Sequence, residues 1–341
     1  MSRLSWIAGA AGLVVLPFYA GSFWLQAGLF AMAAAIGAIG LNVLTGAAGQ
    51  LSMGHAFFLA VGAYSYVWLA SEGLPTALAA LAAVTLSGVA GGLCAPLAGR
   101  LKGASLGIAT LALVFLGQHV LFRAGSVTGG ANGRDVPPLE IAGLRFADSP
   151  EPPLVLGVPF GGMELLWYLA LVLLAASAWF ARGVLRSRPG RAFNTLRDHE
   201  IAAGALGVPV ARHRATAFVL SSMYAGLAGV LLALVFQRTV PEYFGLALAL
   251  DYLAMIVIGG LGTVAGAVAG AAFVTLLPAL LTRFGDALPL VAEPGGDGLS
   301  PAEAARVVYG AVFVAVLLFL PGGLHGLAAR LSPTHPEERA T

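Results

Sequence analysis

Charge is what this chain has least of. Asp, Glu, Lys and Arg together make up 10% of its 341 residues, and 59% of the chain is hydrophobic; an ordinary soluble domain carries about 25% charged residues. A water-facing surface cannot be built from so few ionised groups. Cysteine is nearly absent. The lone Cys94 excludes an internal disulfide and any multi-cysteine metal site. Lysine is equally scarce: Lys102 is the only one, and it stands between Leu101 and Gly103. A phosphate-cradling P-loop ends in Gly-Lys-Ser/Thr, so this chain has none, and energy for any uphill process must come from another chain or an ion gradient. The net charge is only +2 and the basic residues form no groove with interleaved aromatics, which excludes a nucleic-acid-binding surface of the usual kind.

The placement of the few charges shows what remains. No charged residue lies between Arg3 and Glu72, and further charge-free stretches run 73–99, 103–122, 165–181, 215–237, 252–282 and 307–329. Each is near or above the roughly 20 apolar residues that span a bilayer as a helix. The strand alternation of a membrane β-barrel is missing. Glycine, by contrast, is abundant at 46 residues, and small residues let membrane helices approach closely. The reading is an all-α integral membrane protein, a polytopic bundle of about ten spans with broken helices. The expected spans are 6–21, 23–45, 54–70, 76–98, 103–122, 163–181, 215–237, 247–263, 264–284 and 305–323. Residues 3–22 also resemble a secretory signal, but no polar mature domain follows, which favours a retained first helix.

Residues 1–330 thus read as a single transmembrane domain and 331–341 as a short polar tail. With both termini cytoplasmic, Arg3, Arg100, Lys102, the seven arginines from Arg182 to Arg214, Arg330 and Arg339 fall on one side. The positive-inside rule selects that orientation, chiefly through the 182–214 loop. Segment 124–162, with Pro137, Pro138, Pro150, Pro152, Pro153 and Pro159, becomes an ordered extracytoplasmic loop, and 285–304 a second one.

Three interruptions carry the chemistry. Gly49–Tyr64, GQLSMGHAFFLAVGAY, is polar and glycine-rich where a membrane helix is expected. Irregular backbone survives there only if buried in protein or lining a cavity, and helix ends at such breaks offer N–H groups to a carboxylate. Gly49, Gln50, Ser52, Gly54 and His55 are therefore candidates for a substrate pathway, the alternative being a simple turn between helices; His55 fits packing better than metal ligation. A second break, Val257–Ala271, follows the isolated Asp251 and fits close helix packing. The two breaks lie in opposite halves of the chain, which hints at an internal repeat. The third interruption is the loop Ser187–Arg214, where Pro189 precedes and Gly207 and Pro209 follow a helix. Ala202, Ala203, Gly204 and Ala205 make a knob with little side-chain bulk, Phe193 and Leu196 offer apolar grip, and arginines including Arg191 form a charged rim. Such a helix suits a groove on a cytosolic partner. Contact of the arginines with anionic lipid explains the charges but not the Ala-Gly cluster.

The run EIAAGALGV at Glu200–Val208 resembles the signature of ABC importer permeases, and GLNVLTGAAGQLSMGHAFFLAVGAY at Gly40–Tyr64 is similar to the branched-chain amino acid permeases of the LivM type. SVTGGANG at Ser126–Gly133, SRPGRAF at Ser187–Phe193 and VIGGLGTVAGAVAGA at Val257–Ala271 agree in order. The resemblance implies a coupling helix in which Glu200 begins and Gly207 closes the motif, with Arg191, Phe193, Leu196, Ile201, Ala202, Ala203 and Gly204 beside them. It also implies a cytoplasmic ATPase that binds ATP and Mg, a second, LivH-like permease, an extracytoplasmic solute-binding protein and a place in the inner membrane. No cofactor falls to this chain. Where relatives often carry a Glu and an Arg in the fifth span, Phe115 and Gln118 stand here, which leaves urea or short amides beside amino acids as substrate. An ion-coupled secondary transporter would rely on Asp251 as its membrane carboxylate, and a membrane enzyme finds no catalytic pattern in His55, Gln118, His119 and Asp251.

Overall fold

The computed structural model describes residues 12–147, 154–155, 158–284, 301–320, 323–324 and 326. Apart from short two-residue strands, the regular structure is helical. We label the helices α1 (Ser22–Asn42, continued by a π-turn over Val43–Ala47), α2 (His55–Ser71), α3 (Thr76–Arg100), α4 (Ala104–Arg123), α5 (Gly162–Arg186), α6 (Arg188–Asp198), α7 (Glu200–Ala205), α8 (Val210–Phe236), α9 (Leu246–Gly259), α10 (Val264–Arg283) and α11 (Pro301–Phe319). A four-residue turn of helix, Gly125–Thr128, sits between α4 and α5. Among the described residues six helices are long and apolar enough to cross a membrane: α1 with its π-turn, α3, α4, α5, α8 and α10. The 17 residues of α2, the 14 of α9 and the apolar part of α11 are shorter or only partly described.

Most expected spans coincide with a helix to within a few residues. Of the first, 6–21, residues 6–11 lie outside the described residues; 12–15 are helical and Leu16–Phe18 form a 3₁₀ turn. The two largest differences flank the arginine-rich loop: α5 ends at Arg186 rather than 181, and α8 begins at Val210 rather than 215, so Arg182, Arg186, Arg212 and Arg214 belong to helices rather than to the loop. Likewise α11 begins at Pro301, inside the expected 285–304 loop, of which 285–300 lie outside the described residues. The tail 331–341 lies outside them as well.

Helices α1 and α8 form the centre. Within their most apolar windows 83% and 72% of residues are buried, against 22–33% for α3, α4, α5 and α10, so the former are surrounded by protein while the latter form the rim. Small residues permit the close contacts that membrane helices depend on. Gly62 of α2 lies against the backbone of Gly226 in α8, Gly229 against Leu59, and Gly226 against Ser87 of α3. On α1, Gly37 receives the Tyr252 ring and Gly40 receives Tyr224. Tyr224 then donates its hydroxyl to the Ser177 carbonyl of α5 at 2.8 Å, and Ser87 donates to the Phe58 carbonyl at 3.0 Å.

The two ends of the bundle differ. At one end Arg134–Asp135 pairs antiparallel with Arg238–Thr239, Tyr66 donates to the Pro137 carbonyl at 2.9 Å, and Arg238 reaches the Asp135 carboxylate at 3.0 Å. The buried Thr128 donates to the Leu121 carbonyl at 2.6 Å and accepts from the Gly130 N–H. The described part of segment 124–162 is thus tied by hydrogen bonds to α2, to the end of α4 and to Arg238–Thr239. The opposite end gathers the α3–α4 turn, both helix breaks and the arginine-rich loop.

Candidate functional site

The arginine-rich loop folds as two helices, not the single one its sequence suggests. Pro189 opens α6, where its missing N–H is not needed. At His199 the backbone turns to φ −150°, and Glu200 starts α7 in a new direction. Gly207, at φ +79°, closes it in the left-handed region that favours glycine.

That kink sorts the apolar residues. Phe193 and Leu196 are buried in the chain's own interior, and Phe193 meets the His213 ring edge-on at 6.2 Å. Phe193 thereby anchors α6 to α8, and neither residue is the outward grip expected of it; an apolar pair three residues apart marks one helix face without telling which body it faces. Ala203 is also buried. What projects outward is Ile201, 90% exposed, and Leu206, 78% exposed, with Ala202, Gly204, Ala205 and Gly207 exposed around them and Arg191 exposed on α6. Leu206 was missed by sequence reasoning, although it lies inside the recognised run.

Glu200 faces inward. Its Oε2 accepts from Arg214 Nη2 at 2.8 Å and lies 2.8 Å from Lys102 Nζ. Arg214, with its side chain only 11% exposed, also reaches the Ala98 carbonyl at 3.4 Å. One carboxylate therefore pins α7 to α8 and to the α3–α4 turn. Next to it, Asp198 accepts from Arg197 Nε at 2.9 Å, and that hydrogen bond holds the Asp198 carboxyl below its usual range.

The first helix break begins with the π-turn and continues irregularly through Gly54, with Gly49 at φ +68°. The second spans Gly260–Thr263, between α9 and α10. Both lie at this end and touch each other, a proximity their sequence positions hinted at only as a repeat. The buried Asn42 donates from Nδ2 to the Thr263 carbonyl at 2.7 Å, and its Oδ1 accepts from the Gly262 N–H at 2.8 Å. Gly46 lies directly against Gly262.

Side chains take up N–H groups in the first break just before α2 and at the N-cap of α10. Met53 N–H donates to Thr110 Oγ1 at 2.9 Å, Gly54 N–H to Ser52 Oγ at 3.3 Å, and Gly266 N–H to the N-cap Thr263 at 3.1 Å. These donors are thus engaged by protein rather than open to a carboxylate. Of the proposed pathway residues, Gln50, Ser52, Gly54 and His55 are buried inside the chain and Gly49 is exposed. Gln50 Nε2 donates to the Arg214 carbonyl at 3.3 Å, and His55 packs on Tyr252 with ring centroids 4.9 Å apart, the packing role expected of it. Gln118 donates to the Pro241 carbonyl at 3.4 Å while Phe115 is exposed. Asp251 is exposed beside a cavity of about 330 Å³ lined by residues including Phe30, Phe236, Tyr243 and Tyr252.

The family described as the branched-chain amino acid transport system permease component matches residues 5–317. The high-affinity branched-chain amino acid transport system permease protein LivM of Salmonella typhimurium is 30% identical over 297 residues, covering 84% of this chain and 66% of that protein. The autoinducer 2 import system permease protein LsrC of Klebsiella pneumoniae is 37% identical over 131 residues, 37% of each chain. LivH of Escherichia coli, from the same kind of system as LivM, is 28% identical over 162 residues, 48% of this chain and 46% of its own. The chain spans just under two thirds of the length of LivM. No solved structure gives a significant match. With the family matched along nearly its whole length, the chain belongs to the permease-component family of branched-chain amino acid transport systems.

Proposed function

We propose that this chain is the membrane-spanning permease subunit of an ABC importer for branched-chain or related small amino acids. In this reading it carries about ten spans, with both termini and the 182–214 loop in the cytoplasm. ATP and Mg bind a separate ATPase that docks on α7. A second permease packs beside the chain in the membrane, and a solute-binding protein delivers substrate to the end built from residues 124–147 and 237–245. The Gly49–His55 break borders the substrate pathway at its cytoplasmic end.

The observation that carries the reading is the exposed face of α7. Two large apolar side chains, Ile201 and Leu206, stand clear of the chain on a helix of small residues, while Glu200 holds that helix on its inner side. Arginines surround it, so the face lies at the end the positive-inside rule puts in the cytoplasm, where lipid cannot cover it. Exposed apolar side chains with a polar rim mark a protein contact. Cysteine placed at Ile201 or Leu206, with Cys94 replaced by Ser, should crosslink to the co-expressed ATPase. Cysteine at Leu93, 77% exposed on the membrane helix α3, should not. Absence of crosslinks from both α7 positions, in a complex that co-purifies, would contradict the docking site.

A further inference from the structure

Arg197 is the place where the cytoplasmic loop touches the helix breaks. Its Nη1 donates to the Gly46 carbonyl at 2.9 Å and its Nε to Asp198 at 2.9 Å. That carbonyl needs a donor. Gln50 N–H, which would close an α-helical turn onto Gly46, instead donates to the Leu44 carbonyl at 3.1 Å, so the end of α1 leaves Gly46 O outside the helical ladder. Such carbonyls carry the negative end of the helix dipole and are well served by a cation. The main chain and stem of Arg197 also press on Gly49, where an added Cβ would lie 2.8–3.1 Å from Arg197 Cγ, Cα and Cβ. Its Nη1 lies 3.6 Å from the Cβ position of Gly262. From Gly46 onward Asn42 joins the first break to the second.

We propose that Arg197 is the positioning residue that carries movement of the docked loop into both breaks, acting through the Gly46 carbonyl and then Asn42. The proposal rests on the importer reading above. Loop and break meet through one guanidinium hydrogen bond, the other being kept within the loop by Asp198, and through a glycine surface, so displacement of α6 must move the end of α1. The breaks, being irregular, can rearrange without unravelling a full helix. Arg197 is partly exposed, with its side chain 40% accessible. Water can therefore serve Gly46 O when the side chain is removed, and the fold survives the substitution.

The test uses proteoliposomes holding the complete transporter, with radiolabelled leucine as probe. Arg197→Ala should lower leucine uptake per ATP hydrolysed about tenfold, the scale of one charge-assisted hydrogen bond, with subunit assembly unchanged. Arg197→Lys keeps one cationic donor and should recover most of the loss. In hydrogen exchange on the same complex, the nucleotide-dependent change at residues 47–53 should vanish in Arg197→Ala while that at 200–207 persists, an effect that loss of stability alone would not produce. An unaltered uptake ratio with an unaltered exchange response overturns the proposal. If the wild-type complex shows no ATP-driven uptake of leucine or urea, the importer reading fails instead. The link is then judged in the purified chain, where Arg197→Ala must still raise exchange at residues 47–51, and no rise overturns it. Should Arg197→Ala fail to assemble, Arg197→Gln, which retains one donor without charge, gives the same comparison against Arg197→Lys.

Discussion

Replacing Glu200 by Ala separates the hold on α7 from any contact made by its outer face. The carboxylate serves two cations at 2.8 Å, but unequally. Lys102 has a 62% exposed side chain, so its share is that of a surface pair, about 0–1 kcal/mol. Arg214 is 11% exposed. A hydrogen bond between charged groups is worth about 1.5–3 kcal/mol, and stranding a buried partner costs about 3–5 kcal/mol. Because Glu200 itself is 25% exposed, the lower part of that range applies, and the sum for Glu200→Ala is about 2–4 kcal/mol. A domain has about 5–15 kcal/mol in hand, so the bundle stays folded while α7 opens locally. Each 1.4 kcal/mol is a factor of ten, so amide exchange at residues 200–207 should quicken by about 30-fold to several hundred-fold. Glu200→Gln, which keeps an acceptor for Arg214, should fall between, and Lys102→Ala should change exchange by about fivefold at most. A change below about threefold in Glu200→Ala would refute the claim that this carboxylate holds the helix.

Asn42→Leu leaves the Gly262 N–H and the Thr263 carbonyl without their buried partner. Resistance to SDS unfolding should fall by about 3 kcal/mol, with Asn42→Asp, which keeps only the acceptor, part way; equal stability of all three would count against the bridge. Gly49→Ala combines a left-handed backbone with crowding of Arg197 and should cost about 1–2 kcal/mol, read as faster exchange at residues 47–53. Gly99→Ala, in open space within α3, is the control and should cost nothing or add a few tenths of a kcal/mol.

The apolar elements were legible because charge-free length is a direct consequence of the bilayer as solvent. Helix ends such as Phe236 and Arg283 fell near the expected positions for that reason. The start of α8 did not, since Arg212 and Arg214 look like loop residues until Arg214 is seen folded back on Glu200 and Ala98. Residues 200–207 stand out as a unit by their Ala-Gly run, but the turn at His199 reverses which side chains face inward. No periodicity shows a kink with neither Pro nor Gly at its corner, so Phe193 and Leu196 were placed outward when they belong to the core. The breaks were legible as breaks. Their meeting through Asn42 was not, because it joins residues 220 and 221 positions apart, and nothing local distinguishes Asn42 from any polar residue near a helix end. Arg197 was likewise one arginine among seven until its hydrogen bond to Gly46 set it apart.

The most direct test of the importer reading is ATP-driven uptake of radiolabelled leucine into proteoliposomes holding this chain with its ATPase, second permease and solute-binding protein. Uptake against a gradient that needs ATP, survives collapse of proton and sodium gradients and disappears when Ile201 and Leu206 are both changed to Asp is the predicted result. Uptake that persists without ATP and follows an ion gradient would contradict it.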